Sequence, residues 1–472
     1  MERSLENSKP NKKTSVDINT PLIKLAAPVF VQALLSMLIG YADSLMLTRY
    51  SDTAVGAVGN ANNVLGFLTL AFTIISSAAG VVVSQYLGAK AHDKLSRIYT
   101  VALAFNVALS VTISLIVFLF CKTLLGFMQV PAEMMPDAVS YMRIVGGFIF
   151  LEAVIDTFFQ ILRSNGKVVF GMVLSFTMNI INIIGNYIFL YGPLKSLGLG
   201  ASGVAVSSVF SRIAGVIVIV LFFHFRIDGH ISVQYLFPFP KDILKSLLSL
   251  GIPTAGENIS YNISQIVIAA FVNTMGLVAI NTKIYCGILT NFSYLYSLSV
   301  AMATQIIVGH AVGAKEYDLA YRRVIRSVVP SIAVSVSIAA VNLLVCPYTL
   351  AIFTDNAEAI ALGKQIMVIA VFLEIGRTCN LVIINSMRAA GDVKFPTMLG
   401  ICSMWGISVL MSFVLGIVLG LGLRGVWIAM AADEIVRGVI VTIRWQRGTW
   451  RGKRVVKDDE EKEAEQSAPA QA

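Results

Sequence analysis

Two carboxylates stand inside long apolar runs of this chain, and any chemistry it performs should begin with them. Asp43 lies toward the end of IKLAAPVFVQALLSMLIGYADSLML, residues 23–47. That stretch can cross a bilayer as a helix, since about 20 apolar residues span the hydrocarbon. Glu257 follows Pro253 by four residues in a second such run, GIPTAGENISYNISQIVIAAFV. A carboxylate in such a segment is costly to desolvate and faces a water-filled cavity or a partner. Burial favours its neutral form, so it can take a proton on one side of a membrane and release it on the other. As a bare carboxylate it can instead bind sodium. The blander account of Asp43 is a solvated position at the membrane rim beside Arg49. The blander account of Glu257 is a structural pair with Lys283 or Arg377.

Smaller polar groups recur at helical spacing. Asn182 and Asn186 are four apart and share a helix face. Hydrogen bonds between helices, worth about 1 kcal/mol each, would also account for them and for Asn179. Ser207 and Ser208 offer hydroxyls in the next run, where packing explains small residues equally well. Glu152 and Asp156 share a face, whereas Arg143 is too far from Glu152 to pair along the helix. Glu374 stands three residues before Arg377. Arg212 and the cluster Asp433, Glu434 and Arg437 read as bridges between helices near the interface. His92, His224 and His230 fall in loops and His310 at the end of a span; none has ligand spacing, so no metal site is expected beyond a transient sodium at Asp43. Cys121, Cys286, Cys346, Cys379 and Cys402 lie in or at the ends of apolar runs and read as packing residues.

These residues need a membrane scaffold to position them, and the composition predicts one. The 472 residues are 56% hydrophobic and 13% charged, with a mean hydropathy of +0.77. Soluble domains carry about 25% charged residues. Runs bounded by charges and turn signals predict an all-α membrane protein with twelve transmembrane helices, at 22–47, 54–83, 97–121, 137–161, 168–191, 203–225, 243–271, 279–308, 325–346, 360–386, 395–420 and 425–445. The formal charge of +9 is ascribed to loops on one face, not to nucleic acid. One set of loops carries Lys90, Lys94 and Arg97; Arg163 and Lys167; Arg226, Lys241 and Lys245; Lys315, Arg322, Arg323 and Arg326; and Arg388 and Lys394. The opposite loops carry Arg49, Lys122, Lys195 and Arg424. This bias predicts a multi-pass protein of the inner or plasma membrane with both termini cytoplasmic.

From before the first span to the fifth, the chain also matches itself at an offset of 225. That offset relates Asp17 to Asp242, Pro28 to Pro253, Gly88-Ala89-Lys90 to Gly313-Ala314-Lys315, Cys121 to Cys346, and Arg163 to Arg388. A repeat of six spans, an even number, enters the membrane twice from the same side, so the halves are parallel and related by an axis along the membrane normal. The expected organisation is an N-terminal tail (1–20), an N-lobe of six helices (21–225), a linker (226–242), a C-lobe of six helices (243–446) and a disordered tail (447–472) carrying DDEEKEAE. Two pseudo-symmetric six-helix lobes around a cleft suit alternating access better than a channel, for which no filter repeat or ring of charge appears. The glycines of SQYLGAK and GHAVGAK are expected to end helices.

With these motifs in view, the sequence resembles the multidrug and toxic compound extrusion (MATE) family. The resemblance rests on LAAPVFVQ…YADSLML, SQYLGAK, RSNGKVVF, NIINIIGNY, LGLGASGVAVSS, LGIPTAGE, GHAVGAK and MRAAGDVKFP, and covers about residues 20–445. It implies a V-shaped exporter of organic compounds driven by proton or sodium entry. It also implies roles. Asp43 matches the first-helix aspartate used for cation coupling, and Asn182 and Asn186 match a pair that completes the N-lobe site, although the family's second member is an aspartate. Glu257 matches a C-lobe glutamate. Arg377 stands where some members carry an acidic residue, and an arginine there cannot coordinate sodium.

The chain is thus expected to be a secondary active exporter, not an enzyme. Its cation-coupling residues are Asp43, Asn182 and Asn186, with a hydroxyl contact from Ser208, and its C-lobe substrate or cation residues are Glu257, Arg377 and Lys283. Small amphipathic organic substrates, often cationic, and the lipid bilayer are its partners, the protein is a monomer, and no cofactor is expected. The alternative is a flippase for a lipid-linked precursor, for which Arg143, Arg212, Lys283 and Arg377 would have to form a basic cavity for pyrophosphate.

Overall fold

A computed structural model describes residues 20–456. Both tails with their charge runs, and Asp17 of the repeat, lie largely or wholly outside the described residues. Twelve helical segments follow in order: α1 (Leu22–Tyr50), α2 (Asp52–Gly88), α3 (His92–Phe127), α4 (Met135–Gly147 and Phe150–Ser164, bent by 45°), α5 (Val168–Leu190), α6 (Gly200–Arg226), α7 (Lys241–Asn273), α8 (Leu277–Gly313), α9 (Tyr317–Ala351), α10 (Ala357–Ala389), α11 (Lys394–Val418) and α12 (Leu423–Gln446). Among the described residues nine are apolar and long enough to cross a membrane, or ten with the bent pair taken as one span. The other two, α7 and α12, are diluted by polar and charged residues. Arg424, Asp433, Glu434, Arg437 and Arg444 all lie on α12.

The sequence explains the breaks between helices. Ser51 caps α2 by accepting from Ala54 N at 3.3 Å, and Asn356 caps α10 by accepting from Glu358 N at 2.9 Å. Two repeat-related turns close α2 and α8. Ala91 N donates to Tyr86 O at 3.1 Å, and Glu316 N to Ala311 O at 2.8 Å. α2 and α8 end on Gly88 and Gly313, as expected, and the left-handed residues two positions on are Lys90 (φ 58°) and Lys315 (φ 62°). Gly88 and Gly313 also serve a second purpose. A Cβ on Gly88 would sit 2.0 Å from His310 O, and one on Gly313 would sit 2.0 Å from Gln85 O. Gln85 and His310 are themselves mates at the repeat offset, so the contact is reciprocal about the pseudo-twofold axis.

Packing divides by level. One buried cluster, including Leu47, Phe72, Tyr141 and Leu190, draws only on the N-lobe, and another, including Ile268, Cys286, Leu373 and Trp427, only on the C-lobe. The remaining two mix the lobes. Leu25 and Val29 of α1 join a core built on α8, α9 and α10, and Leu247 and Leu250 of α7 join a core built on α2, α3 and α4. The lobes are thus fused where the basic loops lie and separate at the other end. Hydrogen bonds repeat this pattern. His310 Nε2 lies 2.8 Å from Ser164 O, and Gln85 Nε2 donates to Ala389 O at 2.6 Å.

After α12 a strap crosses from one lobe to the other at this fused end. Trp450 stacks on Trp445 with centroids 4.1 Å apart, Arg451 pairs with Asp318 at 2.7 Å, and Lys453 pairs with Asp392 at 2.7 Å. Val455 N then donates to Gln85 Oε1 of the N-lobe at 2.7 Å. Part of the stretch assigned from sequence to a disordered tail, residues 447–456, is therefore ordered.

Candidate functional site

The first-helix carboxylate is half-buried inside the N-lobe, not at a solvated rim. Asn186 of α5 donates from Nδ2 to Asp43 Oδ1 at 2.8 Å. Asn182, one turn earlier, fits with its amide nitrogen 3.1 Å from Asp43 Oδ2 and its oxygen 3.0 Å from Ser208 Oγ of α6. Ser207 donates to Asn182 O at 2.8 Å. The four residues named for coupling therefore meet on three helices, α1, α5 and α6. Asn182 and Asn186 are buried, and Asn186 Oδ1 has no donor among the described residues. An orphaned acceptor beside a carboxylate forms an oxygen-rich pocket able to receive a proton or a hard cation.

A second group of charges extends this site. Glu152 on α4 pairs with Arg212 on α6 at 3.0 Å, and Asp156, one turn on, accepts from Thr73 Oγ1 of α2 at 3.1 Å. Arg212, Asp43 and Glu152 are all within electrostatic reach of the Tyr141 hydroxyl, which donates to Asn62 at 3.2 Å. Sequence reasoning placed Glu152 and Asp156 on one face but missed their partners, which come from other helices.

In the C-lobe the expected trio does not assemble. Glu257 pairs with Arg388 of α10 at 2.6 Å, not with Lys283 or Arg377. Arg388, assigned from sequence to a loop, lies in the last turn of α10 and is mostly buried. Arg377 bonds Glu374 Oε1 at 2.7 Å and comes within 4.0 Å of Glu434. Arg437 holds Asp433 at 2.7 Å and Glu434 at 3.4 Å, Ser403 bonds Asp433, and Asn380 donates to Glu434 at 2.8 Å. Lys283 makes no hydrogen bond or ion pair among the described residues.

The repeat held a signal for the missed pair. Gln32 and Glu257 are mates at the offset of 225, as are Arg163 and Arg388. The N-lobe pair is joined in the same way, Arg163 Nη2 donating to Gln32 Oε1 at 2.9 Å. The cations needed for a pyrophosphate cavity do not converge. Arg212 and Arg377 are held by carboxylates, and Arg143 lies 5.9 Å over the Phe118 ring. Among the described residues no cluster of His, Cys, Asp or Glu is arranged to hold a metal ion. Each cysteine described is a free thiol.

Twelve helices in two equivalent lobes, each holding ionisable groups between its helices, define a multi-pass membrane transporter. The MatE family model matches residues 28–188 and again 253–414, two segments that begin on the repeat mates Pro28 and Pro253. The chain belongs to the multidrug and toxic compound extrusion family, whose members are transporters and not enzymes. It is 36% identical over 438 residues to the uncharacterized transporter YisQ of Bacillus subtilis, covering 93% of this chain and 96% of that one. It is 24% identical to the probable multidrug resistance protein NorM of Thermotoga maritima, covering 96% and 97%. A multidrug resistance MATE family transporter solved in an outward-facing conformation superposes with a TM-score of 0.85 at 18% identity, over 93% of this chain and 98% of that one.

Proposed function

We propose that the protein is a secondary active exporter that exchanges amphipathic, often cationic, organic compounds for protons or sodium by alternating access. The observation that supports this most directly is the Asp43–Asn186–Asn182–Ser208 cluster. A carboxylate held by two amides, with an unfilled acceptor beside it, can exchange one small cation for another positive group. Coupling follows when the two occupancies exclude each other, because each then lowers the affinity for the other. The relatives named as multidrug resistance proteins favour organic cargo. The two lobe-private cores and the two shared ones suit a state closed on the basic side and open on the other.

In this reading the basic side and both termini are cytoplasmic, the membrane is the inner or plasma membrane, and the transporter acts as a monomer. Two lobes (21–225 and 243–446) move about the linker. The C-lobe residues Glu257 and Arg377 hold helices together through Arg388, Glu374 and Glu434, and Lys283 is left as the cation available to cargo. The deciding experiment is transport in proteoliposomes with proton and sodium gradients imposed separately, wild type against Asp43→Asn. Efflux driven by one gradient and lost in the variant is expected. Equal efflux in the variant would remove Asp43 from the mechanism.

A further inference from the structure

A cavity of about 500 Å³ opens between the lobes at the fused end, on the flank where α1 meets α8 and α9. Its wall is apolar: α1 supplies Ala26, Ala27 and Phe30, and α9 supplies Pro330, Val334 and Ile338. Its floor is an edge-to-face contact across the lobes, Phe30 on Tyr296 of α8 with centroids 6.1 Å apart. Its mouth is cationic. Arg323 and Arg326 line it one turn of α9 apart, at the level of the basic loops. Arg323 donates to Thr20 O at 2.6 Å, which fixes its guanidinium beside the start of α1. Arg326 is exposed and has no hydrogen bond or ion pair among the described residues.

From Arg326 to Ile338 is twelve residues, or about 18 Å along α9. One leaflet of hydrocarbon is about 15 Å thick. The groove thus has the dimensions and polarity of half a bilayer, with positive charge where headgroups lie and apolar side chains where acyl chains lie. Basic pockets between membrane helices take anionic headgroups.

We infer that this groove is a binding site for an anionic phospholipid, its phosphate on Arg323 and Arg326 and one acyl chain against Ala27, Phe30 and Ile338. The site is independent of the cargo pathway proposed above. It matters because both lobes build it. A lipid seated there binds the fused arrangement in preference to one in which α1 has parted from α8 and α9, and so shifts the balance between them.

The test is the thermal unfolding of the purified full chain in detergent, titrated with phosphatidylglycerol or with phosphatidylcholine of the same acyl chains. Saturable stabilisation by phosphatidylglycerol and little by phosphatidylcholine is expected. Arg326→Gln, an exposed change, should weaken the apparent phosphatidylglycerol affinity by about fivefold. Ala27→Trp keeps both guanidiniums but fills the groove, and should remove the saturable response without lowering the lipid-free unfolding temperature by a comparable amount. Equal stabilisation by the two lipids would overturn the inference. So would an Arg326→Gln protein that binds phosphatidylglycerol as the wild type does, whatever the fate of Ala27→Trp.

Discussion

The two lobes share a backbone plan and differ in how their charges are committed. In the C-lobe each buried carboxylate described is held by a guanidinium: Glu257 by Arg388, Glu374 by Arg377, Asp392 by Arg444 and Asp433 by Arg437. In the N-lobe Arg163 faces the neutral Gln32, and Asp43 is held by amides alone. One bridge is even reversed in sign. Glu152 and Arg377 are mates at the repeat offset. Arg212 and Glu434 correspond at an offset shorter by three, shared with Gly203-Val204 and Gly425-Val426 near the start of their helices. The N-lobe thus sets Glu152 against Arg212 at 3.0 Å where the C-lobe sets Arg377 near Glu434 at 4.0 Å. A carboxylate locked to arginine is poorly placed to exchange ions, because taking one up leaves a buried cation unpaired. Duplication preserved the frame while leaving one lobe a carboxylate without a counter-charge in bonding contact.

The largest effect should come from that asymmetry. Asp43→Asn is expected to abolish gradient-driven efflux while the protein still reaches the membrane and elutes as a folded species; the Arg377→Gln protein should keep a measurable rate. If the second variant is the dead one and the first is active, the lobes' roles are interchanged.

Next comes the pair that the repeat relates. Glu257→Ala strands Arg388 and should lower stability by about 3 kcal/mol. Glu257→Gln copies the arrangement already present at Gln32 and Arg163, and should cost about 1 kcal/mol. Chemical or thermal unfolding measures both, and equal losses would show that Glu257 contributes by its charge alone.

Where the lobes are alike, their variants should be alike. Gly88→Ala and Gly313→Ala each drive a methyl into a carbonyl of the facing helix, at a cost of about 2 kcal/mol to the fused arrangement. Both should raise the labelling rate of a cysteine placed at Ser84, to a similar degree. A large difference between them would mean that the axis is only nominal at this contact.

The smallest effect concerns the strap. Gln85→Leu removes the acceptor for Val455 N and the donor to Ala389 O, and should cost about 1–2 kcal/mol. Its counterpart His310→Leu loses the contact with Ser164 O and should cost a similar amount, read in the same unfolding assay. A neutral Gln85→Leu would show that the strap lies on the N-lobe without holding it.

Much of this was legible in the sequence. Runs bounded by charges and turn signals located all twelve helices, including α7 and α12, which carry more polar residues than the others, and the self-match exposed the two lobes. Periodicity set Asn182 and Asn186 on one face, and that face meets Asp43. What stayed hidden depends on neighbours far apart in the chain. Nothing local to Glu257 says that Arg388, 131 residues later, closes on it. A basic residue beside a Gly-Asp turn reads as a loop charge, and only the packing of α10 brings it inward. The break at Phe148 and Ile149 in α4 and the π-helical turns at Met404–Val409 and Val414–Val418 in α11 leave no mark on hydropathy either. The glycines of the paired Gly-Ala-Lys motifs do end their helices, as read from the sequence. Their lack of a side chain has a second use that no local signal shows: it lets two helices touch backbone to backbone.

The strap has a consequence for biogenesis. Translation proceeds from the amino end, so α1 to α6 leave the ribosome long before Trp450 and Val455 exist. Gln85 Oε1 then waits for Val455 N until the whole second bundle has been threaded into the bilayer. The seam between the halves is consequently sewn last, and a ribosome stalled within α12 would release a pair of bundles lacking their final stitch.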